Sequence, residues 1–223
     1  MCSNYEAVHN NTRLRQHFGV PHAAPAAQAH VWPGYVGTFI RRSPTASTSH
    51  SATPEREAMA GRFGLIPAWA KDDKVARHTY NARSETVADK PSFRDAWRHA
   101  QHCIVPMDSF VEPDWRSGKA QPRRIGLPDG QPLGAAGLWS AWRSPSGELV
   151  HSYTLLTINA DTHPFMRQFH KPDDEKRMIV ILPPERYSDW LHASAAQSMD
   201  FMRPWPAERL LALDPVVEEQ GLF

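Results

Sequence analysis

The chain has 223 residues, of which 41% are hydrophobic and 22% are charged, a composition typical of globular proteins. It excludes collagen-like and wholly disordered chains, and the formal net charge of +1 gives no global field that would indicate a polyanionic partner. No apolar stretch is long enough to span a membrane, and we see no secretory signal. The two cysteines are too few to stabilise a chain of this size by disulfide bonds. We therefore expect a cytoplasmic protein without membrane contact.

Short strands and a few helices are predicted along the chain. Runs rich in β-branched and aromatic residues predict strands at 35–40, 59–65, 104–107, 124–127, 135–142, 152–158 and 178–182. Apolar spacing predicts helices at 11–18 and 92–100, and a third helix after Pro183 and Pro184. Strands outnumber helices and do not alternate with them, so we expect a β-rich α+β fold.

No shift in composition divides the chain, and a single domain over residues 1–223 is expected. Residues 43–57 are rich in Ser, Thr, Ala and Pro and predict a long exposed loop, and residues 207–223 are interpreted as a C-terminal extension. The tightest cluster of metal-binding residue types is His99, His102 and Cys103, which has no second ligand pair at matching spacing. We expect no metal and no cofactor.

The first dipeptide, Met1-Cys2, could supply a reactive N-terminal residue. Removal of the methionine would leave Cys2 with a free α-amine, a 1,2-aminothiol whose amine and thiol ordinarily titrate with pKa values of roughly 7.7–8.0 and about 8.5. The amine can condense with an aldehyde to an imine, and the neighbouring thiol can then close a five-membered thiazolidine ring. Many chains begin with Met-Cys by chance, so an incidental Cys2 stays an open alternative.

Three further features carry polar side chains in defined places. The run Asn-Ala-Arg-Ser-Glu-Thr at 81–86 is also compatible with a turn and a helix cap. An apolar strand beginning at Cys103 leads through a Ser-Phe turn to Glu112, which would ordinarily be a solvated loop carboxylate. His170 precedes a charged run and a strand, and a lone His is more often structural than catalytic.

Together and in this order, these features resemble the SOS-response-associated peptidase (SRAP) family, also described as abasic-site processing proteins. The matching motifs are Met-Cys, N-A-R-S-E-T, C-I-V-P…F-x-E and H…R-M-x-V-I-L, supported by F-G-L-I-P-A-W at 63–69 and L-L-T-I-N-A at 155–160. The resemblance spans nearly the whole chain, from Cys2 to about Pro206. It implies a β-rich single domain with a barrel-like core and a few peripheral helices.

The resemblance also implies an activity in the DNA damage (SOS) response. The mature N-terminal Cys2 would form a covalent thiazolidine crosslink with the aldehyde of an abasic site in single-stranded DNA, after the protein has removed its own Met1. Asn81 would orient the sugar or the Cys2 amine, Glu112 would act as acid and base near that amine, and His170 would protonate the ring oxygen. The expected protein is a monomer in the cytoplasm, associated with the nucleoid.

Contacts with DNA follow from the same resemblance. Arg83 and Arg177 match positions that contact phosphate, and Trp69 matches an aromatic residue on which a base could stack. Ordinary core packing is the alternative for Trp69. Three further residues match positions that line the same channel: Pro33, Phe93 and Thr157.

The chain departs from the family pattern in three places. Residues 3–5 read Ser-Asn-Tyr instead of the usual Gly-Arg-Phe, which removes one expected phosphate contact, and Pro113 stands where the family often has Trp. Six residues, rather than one, separate His170 from Arg177. This spacing leaves His163 as a competing candidate for the proton donor.

Two other functions remain open from the sequence. An amidohydrolase of the N-terminal-nucleophile type would use Cys2 against amide carbonyls and would need an oxyanion hole. A non-enzymatic single-strand-binding or scaffold protein would make no use of Cys2. A Cys2-dependent crosslink to abasic DNA that survives heat and detergent would distinguish abasic-site processing from both of these alternatives.

Overall fold

A closed barrel of five strands forms the centre of the computed structural model, which describes residues 2–20, 28–44 and 55–213. The strands of the described residues are β1 (Asn4–Ala7), β2 (His30–Val31), β3 (Val36–Arg42), β4 (Arg56–Phe63), β5 (Asn81–Arg83), β6 (His102–Asp114), β7 (Gln121–Gly126), β8 (Leu133–Arg143), β9 (Leu149–Asn159), β10 (Arg177–Ile179), β11 (Ile181–Leu182) and β12 (Leu211–Ala212). The α-helices are α1 (Asn11–Phe18), α2 (Arg94–Arg98) and α3 (Tyr187–His192). Short 3-10 helices cover Asp73–His78, Met166–Gln168, Pro184–Arg186, Ala195–Phe201 and Ala207–Arg209.

Strand pairing closes the barrel. β3 pairs with β4 and β6, β6 with β8, and β8 with β9, all antiparallel, and a short parallel pairing of β4 with β9 completes the ring. Closure removes the two free edges that an open sheet of these strands would present. The remaining strands attach outside this ring, and β1 and β5 carry residues of the candidate site.

An aromatic cluster fills space between strands of the barrel and β1. Phe63 stacks on Tyr153 with ring centroids 5.5 Å apart and meets Tyr5 edge-on at 5.4 Å. The hydroxyls of Tyr5 and Tyr153 share a hydrogen bond of 2.5 Å, which satisfies two polar groups that are fully buried. Burial raises the pKa of both phenols, so both stay neutral.

The β-rich α+β fold with a barrel core is confirmed, and each predicted strand overlaps an observed one. The predicted strand at 178–182 is divided at Val180, because the chain there passes from β9 to β8. Val180 N donates to Leu156 O of β9, and Val180 O accepts from Ala136 N of β8. The strands β1, β2, β5 and β12 were not predicted, since two to four residues carry too little periodicity.

Each predicted helix corresponds to an observed one, although one of them is shorter than predicted. The predicted helix at 11–18 is α1, which begins where the Asn10 side chain accepts from Thr12 N and Arg13 N. The predicted helix at 92–100 is shortened to α2, which has no side-chain cap. The third predicted helix is α3, preceded by a turn of 3-10 helix. None of the described helices has the length and apolar character needed to cross a membrane.

Two predicted segments are described only in part. Of the predicted loop at 43–57, residues 45–54 lie outside the described residues, and β4 already begins at Arg56. Of the predicted extension at 207–223, residues 214–223 lie outside them. The earlier part of that extension is structured, because β12 pairs with β7.

Candidate active site

Cys2 lies directly before β1 and is fully buried. β1 pairs with the end of β6, with Asn4 opposite Val111, and this register brings Cys2 next to the last residues of β6. The thiol donates to Asn4 O at 3.4 Å. Burial raises the pKa of the thiol, and the nearby Glu112 carboxylate raises it further, so the sulfur carries its proton at neutral pH.

Asn81 holds the backbone of Cys2. It is the first residue of β5, which runs parallel to β9 with Asn81 opposite Leu155. Its Nδ2 donates to Cys2 O at 2.8 Å. Its Oδ1 is buried without a hydrogen-bond partner among the described residues. The amide therefore fixes the position of Cys2 and keeps one acceptor that a ligand could satisfy.

Glu112 and His170 form a buried pair. His170 Nε2 donates to Glu112 Oε2 at 2.7 Å, with Glu112 fully buried and His170 7% exposed. The expectation that Glu112 lies on a solvated loop is wrong. β6 continues through Glu112 to Asp114 because this half of the strand pairs with β7, with Glu112 opposite Arg123.

The backbone at His170 is held in an unusual conformation. Its φ of 66° lies in the left-handed region, which non-glycine residues rarely adopt. His170 N donates to Pro113 O at 2.8 Å, and Phe169 forms a bridge with Asp114. These bonds tie the His170 segment to the end of β6 and aim the imidazole at Glu112.

The four predicted catalytic residues therefore come together from four segments. Asn81 contacts Cys2, His170 contacts Glu112, and the charge of Glu112 acts on the Cys2 thiol. The sequence did not predict Tyr80, which lies beside them. Burial raises the pKa of Tyr80, and the charge of Glu112 adds to that rise.

His163, the competing candidate, has a structural environment. Its Nδ1 accepts from Met166 N at 2.9 Å, so its Nε2 carries the proton and donates to Trp205 O at 2.7 Å. Both ring nitrogens are thus used to hold backbone. These contacts favour His170 over His163 as the residue available for proton transfer.

Arg177 lies in a different environment from the expected phosphate contact. Its side chain is only 2% exposed and makes a double hydrogen bond to Glu85, at 2.9 and 2.8 Å. It also donates to Glu175 Oε1 and to Thr157 O, each at 2.8 Å. With both terminal nitrogens bonded to these groups, Arg177 stabilises the neighbourhood of β5 and presents almost no surface to a ligand.

Two further expected DNA contacts are also buried. Thr157 is 1% exposed in β9, where its hydroxyl donates to Ala82 O at 3.4 Å. Phe93 is 9% exposed and packs in the core before α2. Neither side chain offers a broad surface, because each fills space between elements.

Arg83, Trp69 and Pro33 remain accessible. The Arg83 side chain is 49% exposed and pairs with Glu175 at 2.7 Å. Trp69 is 56% exposed, which excludes ordinary core packing, and its Nε1 donates to Pro91 O at 3.2 Å. Pro33 is half-buried in the turn between β2 and β3.

The partners of Arg177 were missed in the sequence. Glu85 belongs to the polar run at 81–86, so its motif was visible although its role was not. Glu175 bridges Arg83 and Arg177, and hydrogen bonding from Arg177 holds the pKa of Glu175 below its usual value. Only the fold brings residues 83, 85, 175 and 177 together. Among the described residues, no group of three or more His, Cys, Asp or Glu side chains could hold a metal ion.

Comparisons with known proteins point to one family. The family model for SOS response associated peptidase (SRAP) matches residues 1–219. Similar curated proteins include the abasic site processing protein YoqW of Bacillus subtilis, 38% identical over 132 residues, which cover 59% of this chain and 55% of that protein. Abasic site processing protein HMCES of Gallus gallus is 27% identical over 175 residues, covering 67% of this chain and 50% of that protein.

The chain thus spans about half the length of the curated relatives it matches. Among solved structures, the X-ray crystal structure of a protein from Bordetella bronchiseptica has a TM-score of 0.85 and 47% sequence identity, covering 96% of this chain and 100% of that one.

Proposed function

The chain belongs to the SOS response associated peptidase (SRAP) family, and from that premise we propose that it is an abasic site processing protein. The curated relatives YoqW and HMCES are both named abasic site processing proteins. The proposed product is a thiazolidine that joins mature Cys2 to the aldehyde of an abasic site in single-stranded DNA. The observation that carries the proposal is the junction of Cys2, Asn81 and the Glu112–His170 pair at one buried place.

The order of bond formation follows from the state of the thiol. Because the Cys2 thiol is buried and protonated, the α-amine is the first nucleophile, once Met1 has been removed. The amine adds to the open-chain aldehyde, and loss of one water gives an imine. The thiol then adds to the imine carbon while its proton passes to nitrogen, which closes the ring without further loss of atoms.

Glu112 and His170 divide the proton transfers in this proposal. His170 donates a proton to the ring oxygen as the closed sugar opens, and Glu112 accepts the proton that the anomeric hydroxyl loses. Their shared hydrogen bond of 2.7 Å then passes that proton from Glu112 to His170. Glu112 also stabilises the positive charge of the protonated imine. Asn81 holds the Cys2 carbonyl and orients the amine.

Removal of Met1 is part of the proposal. If the protein carries out this step itself, the same Glu112–His170 pair is the available acid and base. A Glu112→Gln protein would then retain Met1, which intact-mass measurement would detect. Complete removal in that variant would assign the step to another enzyme.

We assign the proposed DNA contacts to the expected residues whose side chains are accessible to solvent. Arg83 pairs with a phosphate, a base stacks on Trp69, and Pro33 borders the strand. Three buried residues support the strands that carry the site: Phe93, Thr157 and Arg177. The protein would act as a monomer on single-stranded DNA at the nucleoid.

The amidohydrolase alternative fits the structure less well. That reaction needs a thiolate to attack an amide carbonyl, and burial raises the pKa of the Cys2 thiol. The imine route needs no thiolate in its first step. The electrostatics of the site therefore favour aldehyde chemistry.

A denaturing gel tests the proposal with a single-stranded oligonucleotide that carries one abasic site. Wild-type protein should give a band that survives heat and detergent, and Cys2→Ala should give none. Cys2→Ser keeps the amine but lacks the thiol, so its imine should appear only after borohydride reduction. Cys103→Ala, a second buried cysteine, is the matched control and should crosslink like wild type. Equally fast crosslinking by Cys2→Ala would contradict the proposal.

A further inference from the structure

Two exposed aromatic side chains flank a tight turn between β2 and β3. Trp32 is 47% exposed and Tyr35 is 46% exposed. Tyr35 N donates to Trp32 O at 2.9 Å across Pro33 and Gly34, and the φ of 89° at Gly34 is that of the third residue of a type II turn. The turn presents both rings to solvent, and neighbouring exposed aromatic residues are a mark of binding surfaces.

The turn lies close to Cys2. β2 pairs with β1 in an antiparallel register that sets Val31 opposite Tyr5, so the next residue, Trp32, lies opposite Asn4. Asn4 is two residues from Cys2, which is about 7 Å of extended chain. Nucleotides adjacent to a sugar bound at Cys2 would therefore reach the turn.

A cation lies on the other side of a small groove. The groove runs between the turn and the 3-10 helix Asp73–His78, and it encloses a cavity of about 140 Å³. Arg62, on its wall, pairs with Asp73 at 3.1 Å. Arg77 also lines it, is exposed, and makes no ion pair with any residue in the described ranges. The groove thus combines the Tyr35 ring with a positive charge not neutralised by a described carboxylate, and the exposed Trp32 ring lies at the start of the same turn.

We propose that Trp32, Tyr35 and Arg77 form a binding surface for the single-stranded nucleotides next to the lesion. Bases stack on Trp32 and Tyr35, and Arg77 contacts a phosphate. Aromatic rings beside a cation are the combination by which proteins bind single strands without reading sequence. The inference rests on the proposed function and adds a second stacking surface to Trp69, which contacts a different loop through Pro91.

Binding of a noncovalent probe tests this surface. The probe is a labelled single-stranded oligonucleotide with a central tetrahydrofuran, which mimics the abasic sugar and has no aldehyde. Trp32→Ala should weaken binding by roughly 10-fold, as expected for one lost base stack, and Trp32→Phe should restore most of it. Arg77→Ala should lower the slope of log affinity against log salt by roughly 0.7. Leu211→Ala, at another exposed apolar residue, should bind like wild type.

The outcomes separate this inference from the proposed function. Wild-type crosslinking to the aldehyde oligonucleotide tests the function alone. If wild type crosslinks and Trp32→Ala and Arg77→Ala bind the probe as tightly as wild type, with the salt slope unchanged, the inference is overturned and the function stands. Thermal unfolding of each variant reports folding, which should be intact because the substituted side chains are exposed.

Discussion

His170 and Glu112 form the pair on which the proposed chemistry depends most directly. A positioned proton donor or acceptor contributes about 10²–10⁴-fold to a rate. In protein from which Met1 has been removed, as intact mass verifies, Glu112→Gln and His170→Ala should each slow crosslinking within that range while probe binding stays near wild type. Single-turnover crosslinking on gels measures the rate, and the exposed Glu148→Gln serves as the control.

The double variant tests whether the two residues act together. Because they share one hydrogen bond, the combined loss should be smaller than the product of the single losses. Fully multiplicative losses would mean that they act independently, and the proposed proton transfer between them would be incorrect.

Arg177 and Arg83 should separate stability from DNA binding. Arg177→Ala removes the partner of two glutamates from a buried position, so it should lower the thermal unfolding midpoint by several degrees. Arg83→Ala removes a half-exposed side chain and should leave that midpoint nearly unchanged while weakening probe binding. If the Arg177→Ala protein is as stable as wild type but binds the probe poorly, the expectation that Arg177 contacts phosphate would be correct after all.

Residue chemistry was predictable where it depends on a motif, and unpredictable where it depends on contacts. The aminothiol at Cys2 and the run at 81–86 can be recognised from the sequence alone. The burial of Arg177 could not be predicted, since it requires Glu85 from one segment and Glu175 from another to meet one guanidinium. Trp32 and Tyr35 were missed because exposure is a property of the fold.

At the scale of elements, the packing of α3 on β6 should make stability depend on pH. His102 stacks on Trp190 with ring centroids 3.9 Å apart and bonds to Ser198 Oγ, and burial lowers its pKa to about 4 from its ordinary 6.5. Between these values the unfolded chain binds a proton that the folded protein does not. Stability should therefore fall as pH drops from 6.5 to 4, by up to about 3 kcal/mol.

Urea unfolding across that pH range measures the effect. His102→Gln should flatten this part of the pH profile whatever its absolute stability, and the exposed His99→Gln should leave the profile unchanged. An identical slope in wild type and His102→Gln would assign the dependence to other groups.

The connection from β4 to the 3-10 helix Asp73–His78 requires glycine at position 64. Gly64 has a φ of 120°, and a Cβ there would lie 1.9 Å from Ala76 O. Gly64→Ala should cost roughly 3 kcal/mol or more, because strain and a backbone clash combine. Gly118 also has a positive φ, of 80°, but open space around it, so Gly118→Ala should cost about 1 kcal/mol. Equal costs in urea unfolding would contradict this account.

Longer elements were predictable from periodicity, and the short ones that build the site were not. β8 and β9 carry clear strand patterns, whereas β1 and β5 have four and three residues. The sequence predicts a turn at Ser109 and Phe110, and therefore a loop at Glu112. Pairing with β1 and β7 keeps that segment extended, which no local pattern indicates.

For the whole molecule, closure of the barrel positions residues that are far apart in sequence. The parallel pairings of β4 and β5 with β9 bring residues near 63 and 82 beside residues near 155. β-rich composition predicts a sheet or barrel, but the choice of partners depends on long-range pairing. Cys2, before β1, and Asn81, on β5, are therefore brought together through the paired strands β6, β8 and β9.

The central claim is that one terminal residue captures a sugar aldehyde through both its nitrogen and its sulfur. Mass spectrometry of the complex with an abasic oligonucleotide measures this most directly. We expect the mass of the chain without Met1 plus the intact oligonucleotide, less one water, with the linkage mapped to Cys2. A crosslink on a chain that retains Met1, or a linkage mapped to a lysine, would contradict it.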